Sequence, residues 1–202
     1  MASIDYITLE TADLTAAELF YKEAFGLSTQ VRLQAGEPPT SGFRGFTVSL
    51  LVAQPSDAEA LLQAALGAGA TSLKPASKSM WGYGGVVQSP DGSIWKVATS
   101  KKKDTGPVSH DIEQIVLLLG VDDVSASKRF YADHGFAVGK SFGPMYAEFE
   151  MDSSPIKLAL NRHKALAKDA GVSSEGSGSH RLIIGGDVGA LSDPDGFAWQ
   201  SA

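Results

Sequence analysis

The sequence predicts an α+β protein assembled from tandem β-α-β-β-β modules. Three features predict it. Pro-Asp-Gly, a two-residue spacer and Trp occur twice, as Pro90-Asp91-Gly92 with Trp95 and as Pro194-Asp195-Gly196 with Trp199. Phe20-Tyr21 followed by Gly26 returns as Phe130-Tyr131 followed by Gly135, and an apolar strand precedes each pair. The Phe-Tyr copies stand 110 residues apart and the Pro-Asp-Gly copies 104, so the chain reads as a duplication with unequal insertions.

Each element follows from local pattern. Residues 4–10 alternate as a strand, and Asp13 is placed to cap a helix over 14–25. Ala17, Phe20, Tyr21, Ala24 and Phe25 form that helix's apolar stripe, and Gly26 stops it. A strand near 28–34 leads into the loop "AGEPPTSGF". Residues 45–53 form the next strand, and Ser56 with Glu59 has the form of a capping box opening a second helix. Strands then fit 71–74, 83–88 and 93–99, the last started by the Pro-Asp-Gly turn, in which Pro presets φ and Gly accepts φ > 0.

Residues 101–110 read as a linker, with Lys101-Lys102-Lys103 as a solvated run. The pattern then resumes with a strand at 112–119, a helix at 125–134 and strands near 137–141, 146–151 and 156–160. A fourth helix over 163–171, a loop at 172–179, a strand at 180–186 and a closing strand at 197–201 follow. The division is a first unit at 1–100 and a second, partly reduced unit at 111–202.

Composition limits the function. A chain of 202 residues with 43% hydrophobic content can bury an ordinary core. A net charge of −6 argues against nucleic acid or an anionic membrane as partner. No apolar run spans a bilayer and no basic-then-apolar leader opens the chain, so the expected location is cytoplasmic. The absence of cysteine excludes disulfides, thiolate catalysis and Cys-ligated zinc.

Paired modules, the late Phe-Tyr, the following Gly and the terminal Asp-Pro-Asp-Gly-strand together resemble the vicinal oxygen chelate superfamily. That group includes glyoxalase I, extradiol dioxygenases and bleomycin-resistance-type binding proteins. The resemblance implies curled mixed sheets forming a cup around a ligand, and in the enzymes a divalent ion held by His, Gln or Glu from the first, fourth, fifth and eighth strands. Carried onto this chain, those positions hold Tyr6, Thr47 or a neighbour, and Lys96 in the first unit. In the second they hold Gln114, Lys157, His180 and Gln200. An ordinary Lys must lose a proton before it can ligate, which costs about 4–5 kcal/mol at pH 7. No cofactor is therefore expected, and Gln114, His180 and Gln200 are weak metal candidates.

Two functions follow. One is metal-independent binding of a planar or amphipathic small molecule, an antibiotic or aromatic metabolite, with Trp81, Tyr83, Trp95, Phe43, Phe46, Arg44 and Tyr6 as walls. The alternative is a glyoxalase-type lyase or isomerase in which Lys157 and His180 act as catalytic groups. Glu113, Glu148 and Glu150 could form an off-pattern carboxylate cluster, though a solvated edge is the simpler reading. A second unit that is purely structural, and a homodimer, are the remaining options.

Overall fold

The computed structural model describes residues 2–36 and 40–202. The centre of the expected loop at 35–43 lies outside them. The first module is β1 (Ile4–Thr11), α1 (Leu14–Phe25), β2 (Val31–Ala35) and the short β3 (Ser41–Gly42). The second is β4 (Phe46–Leu51), α2 (Pro55–Gly67), β5 (Thr71–Ser79), β6 (Gly82–Gln88) and β7 (Ile94–Thr99). The third is β8 (Gln114–Val121), α3 (Val124–Asp133), β9 (Ala137–Ser141), β10 (Tyr146–Glu150) and β11 (Ile156–Arg162). After α4 (His163–Ala170) and β12 (Gly176–Ser177) come β13 (Leu182–Gly186), β14 (Leu191–Ser192) and β15 (Ala198–Ser201).

The modules pair across the chain's two halves. Eight strands in the order β5-β6-β7-β4-β8-β11-β10-β9 unite the second and third modules. Five in the order β14-β15-β13-β1-β2 unite the first and last. The contacts that join one half to the other are β4 against β8 and β1 against β13. The segment 101–110 carries the crossing and is anchored. The Gln54 side chain accepts from the Thr105 and Gly106 amides at 2.8 and 3.0 Å and donates to the Gly106 and Pro107 carbonyls at 3.1 and 2.8 Å.

Both repeated motifs are structural locks. Trp95 is fully buried between Tyr21 and Phe25, with ring centroids 5.2 and 5.1 Å away. Trp199 sits likewise on Tyr131 and Phe136. The Tyr21 hydroxyl donates to the Asp91 carboxylate at 2.9 Å and lies 3.3 Å from the Ser89 hydroxyl, while Tyr131 donates to Asp193 at 2.7 Å. Ser89 and Asp193 occupy the same place, two residues before the Asp of each Pro-Asp-Gly. Phe-Tyr in the helix and Pro-Asp-Gly before the last strand recur together because one side chain fastens the other.

Asp13 caps α1 as its spacing requires, accepting from the Ala16 amide at 3.0 Å. The expected capping box on α2 does not form. Gln54 is the N-cap and Pro55 the first helical residue, two positions earlier than a Ser56 cap would set them; Ser56 Oγ is buried without a partner among the described residues, and Glu59 instead accepts from the Tyr83 hydroxyl at 2.7 Å. Among the described residues no helix is long and apolar enough to cross a membrane.

Candidate functional site

Strand alternation gives the eight-stranded sheet two faces. Phe46, Val48, Leu50, Trp95, Val97, Ile115, Leu117, Leu119, Ile156 and Leu158 point to the helix-packed core. Their neighbours Ser49, Leu51, Lys96, Ala98, Gln114, Val116 and Lys157 face a concave cavity of about 1130 Å³. That volume is enough for a drug-sized ligand.

Across the floor one row is in register. Ser49 pairs with Lys96 on β7 and with Val116 on β8, and Val116 pairs with Lys157 on β11. These four strands open and close the second and third modules, the places from which the resemblance expects ligands. At about 4.8 Å per strand, the Lys96 and Lys157 Cα atoms stand about 14 Å apart, with both side chains reaching into the cup.

The walls carry mixed charge: Lys74, Lys96, Lys140 and Lys157 against Glu113, Glu148, Glu150, Asp152 and Asp169. Lys96 contacts Asp169 at 2.8 Å, and Lys74 caps the end of α4 by donating to the Lys168 and Asp169 carbonyls at 2.9 and 2.5 Å. Lys140 and Glu148 are 3.6 Å apart, as are Lys157 and the solvent-facing Asp152. The Tyr146 hydroxyl donates to Glu148 at 3.0 Å, and burial together with that carboxylate holds the phenol protonated well above its usual range.

Helix α4 fills the other end of the cup. Leu166, Ala167 and Ala170 pack on Phe43, Val86 and Ile94, with Leu118 alongside. The cavity is thus the half of the concave face that α4 leaves uncovered, at the end where β4 meets Gln114.

The row does not suit a divalent ion. Two ammonium groups repel a cation, a valine offers no lone pair, and a single neutral hydroxyl remains. Among the described residues, no three His, Cys, Asp or Glu side chains gather to hold a metal.

The expected site residues disperse. Lys157 and Gln114 line the cup, and Trp81 stands at its mouth, 84% exposed, on the turn between β5 and β6. Tyr83 also borders the cavity, between Gly82 and Gly84, with its hydroxyl donating to Glu59 on α2. Trp95 and Phe46 are core, and Phe43 lies under α4 beside His163. Arg44 reaches the Pro-Asp-Gly turn, where its Nη2 donates to the Asp91 carbonyl, while Nη1 is buried without a partner among the described residues.

Tyr6 and Gln200 belong to the five-stranded sheet. Tyr6 pairs with Gly185, which pairs with Gln200, and Gln200 Nε2 donates to the Tyr6 hydroxyl at 3.1 Å. The Arg32 guanidinium lies 3.2 Å from the Tyr6 ring centroid, and a Cβ on Gly185 would come within 2.3 Å of that ring, so Tyr6 packs directly on the sheet. His180 stacks on Phe197 at 3.8 Å with its two nitrogens 2.6 and 3.0 Å from the Arg44 and Asp195 carbonyls. Gln114, Lys157, His180 and Gln200 therefore do not form one site. Glu113, Glu148 and Glu150 do border the cup, and Lys74, Tyr146 and Asp169 join it without having been singled out. Alternation beside Val97 and Leu158 marks the lysine faces, but the partner strands are not local information.

No family model and no curated protein matches the chain. Among solved structures, glyoxalase I from Zea mays superposes over 98% of this chain and 91% of its own, with a TM-score of 0.63 at 15% identity. A point variant of the same maize enzyme gives a TM-score of 0.59 at 14% identity. A putative dioxygenase from Bacillus subtilis superposes over 96% of this chain and 71% of its own, with a TM-score of 0.58 at 12% identity. At such identities the likeness is one of fold. The chain has the paired-module fold of glyoxalase I.

Proposed function

We propose that this protein binds a small organic molecule in the eight-stranded cup without a metal ion. The observation that carries the reading is the floor row Lys96–Ser49–Val116–Lys157. It replaces a cation's donor set with two ammonium groups and a hydroxyl, while leaving an open cavity of ligand size. Leu51, Ala98, Val116 and Leu118 supply an apolar floor, and Trp81 at the mouth supplies a flat surface for stacking.

The experiment is a small-molecule screen by thermal shift in the presence of a chelator, repeated on Val116→Trp, which fills the cup from a half-exposed position. Compounds that raise the melting temperature of the unaltered chain and lose that effect in Val116→Trp support the reading. Stabilisation that appears only on adding a divalent ion, or that Val116→Trp leaves intact, refutes it.

A further inference from the structure

We infer that helix α4 is a resident occupant of the cup, and that the ligand is an organic monoacid whose carboxylate takes the place of the Asp169 carboxylate on Lys96. This inference rests on the small-molecule reading above and names its ligand class.

Two observations meet here. The first is what α4 covers. Its apolar residues Leu166, Ala167 and Ala170 lie on the concave face rather than on the helix-packed one, so the chain inserts part of itself where a ligand would otherwise sit. The second is what α4 carries to its open end. Asp169 extends to Lys96 at 2.8 Å, on the floor row, with side chains 36% and 52% exposed on the lysine and aspartate respectively. The pair borders the open cavity, and a carboxylate arriving through the mouth meets the same ammonium.

The remaining charges orient the ligand. Lys74 is engaged by the α4 carbonyl groups, and Lys140 stands beside Glu148. Among the described residues Lys157 has only the solvent-facing Asp152, at 3.6 Å, so its ammonium is open to a second contact from the bound acid. Glu113 and Glu150 have no cationic partner among the described residues, and they border the cavity. A second acid group placed near them would be repelled, whereas a neutral or hydrogen-bond-donating end would not. One carboxylate and an apolar body of ring size match this arrangement.

Asp169 then competes with the ligand. An ion pair this exposed is worth about 0.2–1 kcal/mol, so removing the competitor tightens an acid by about 1.4- to 5-fold. Asp169→Asn leaves α4 held by its apolar contacts and by Lys74, whose acceptors are backbone carbonyls.

The test is titration of benzoate, benzylamine and terephthalate, followed by protein amide NMR shifts. The proteins are the unaltered chain, Asp169→Asn, Lys96→Gln and Val116→Trp. Benzoate is expected to bind the unaltered chain, to bind Asp169→Asn about 1.4- to 5-fold more tightly, and to weaken in Lys96→Gln. Terephthalate should bind less well than benzoate. Equal benzoate affinity in the unaltered chain and Asp169→Asn, with binding still lost in Val116→Trp, overturns the role of Asp169 and leaves the small-molecule reading standing. Benzylamine binding in the cup in preference to benzoate overturns the acid class and again leaves that reading standing. If none of the three probes gives shifts sensitive to Val116→Trp, the proposed acid is refuted, and a screen that also finds no compound removes the reading beneath it.

Discussion

Removing one oxygen from the Tyr131 lock tests the structural account sharply. In Tyr131→Phe, Asp193 loses a donor at 2.7 Å and the Trp199 Nε1–H loses an acceptor at 3.3 Å, both in buried surroundings. A lost hydrogen bond to a charged group costs about 1.5–3 kcal/mol. At this chain length that corresponds to a melting temperature lower by about 2–4 °C per kcal/mol, or about 3–12 °C in all.

The pH dependence has a definite sign. Burial raises the Asp193 pKa above its ordinary value, while the bonds from Tyr131 and from the Phe197 and Asp195 amides pull it back. A carboxyl whose folded pKa exceeds its unfolded pKa contributes stability that is present below the unfolded value and lost as pH rises through the folded one. Deleting the Tyr131 hydroxyl removes a lowering influence and raises the folded pKa further. The variant should therefore lose more stability at pH 7 than at about pH 4. Urea denaturation at the two pH values measures this directly. A cost below about 0.5 kcal/mol at pH 7, or a larger cost at about pH 4, would refute the reasoning.

Two further predictions follow from the same structure. Trp95→Ala should cost about 3–5 kcal/mol by chemical denaturation, because it empties a fully buried site between Tyr21 and Phe25, whereas Trp81→Ala at the exposed turn should stay within about 0.5 kcal/mol. Gln54→Ala should strand the Thr105 and Gly106 amides and sensitise residues 101–110 to trypsin, whose sites at Lys101–Lys103 lie beside them. Unchanged cleavage kinetics would show that Gln54 does not hold the segment.

The fold was legible because its signals are local. Helix stripes, the Asp13 cap and the two Pro-Asp-Gly turns each lie within a few residues of the structure they specify. The site was less legible because a cup is assembled from strands far apart in sequence. Lys96 and Lys157 each stand out as poor metal ligands, yet their neighbours follow from which modules share a sheet, and β4 pairs with β8 only in three dimensions.

The expected aromatic residues divide between the two faces, Trp81 and Tyr83 bordering the cavity and Trp95 and Phe46 lying in the core. Trp95 shares its side of β7 with Val97, and both enter the core, while Lys96 between them faces the cavity. His180, expected to open the strand over 180–186, lies ahead of β13, since Arg181 takes a left-handed conformation at φ 53° and the imidazole turns onto Phe197. No local pattern announced that α4 would lie inside the cup, since its apolar stripe would suit either face of the sheet.

Native mass spectrometry of freshly purified protein reads directly what occupies the row between Lys96 and Lys157. The account predicts a chain that carries no stoichiometric divalent ion when manganese, zinc or nickel is supplied, and that retains an added organic ligand unless Val116 is replaced by Trp. One divalent ion bound per chain, lost on chelation and taking the organic ligand with it, would contradict the account.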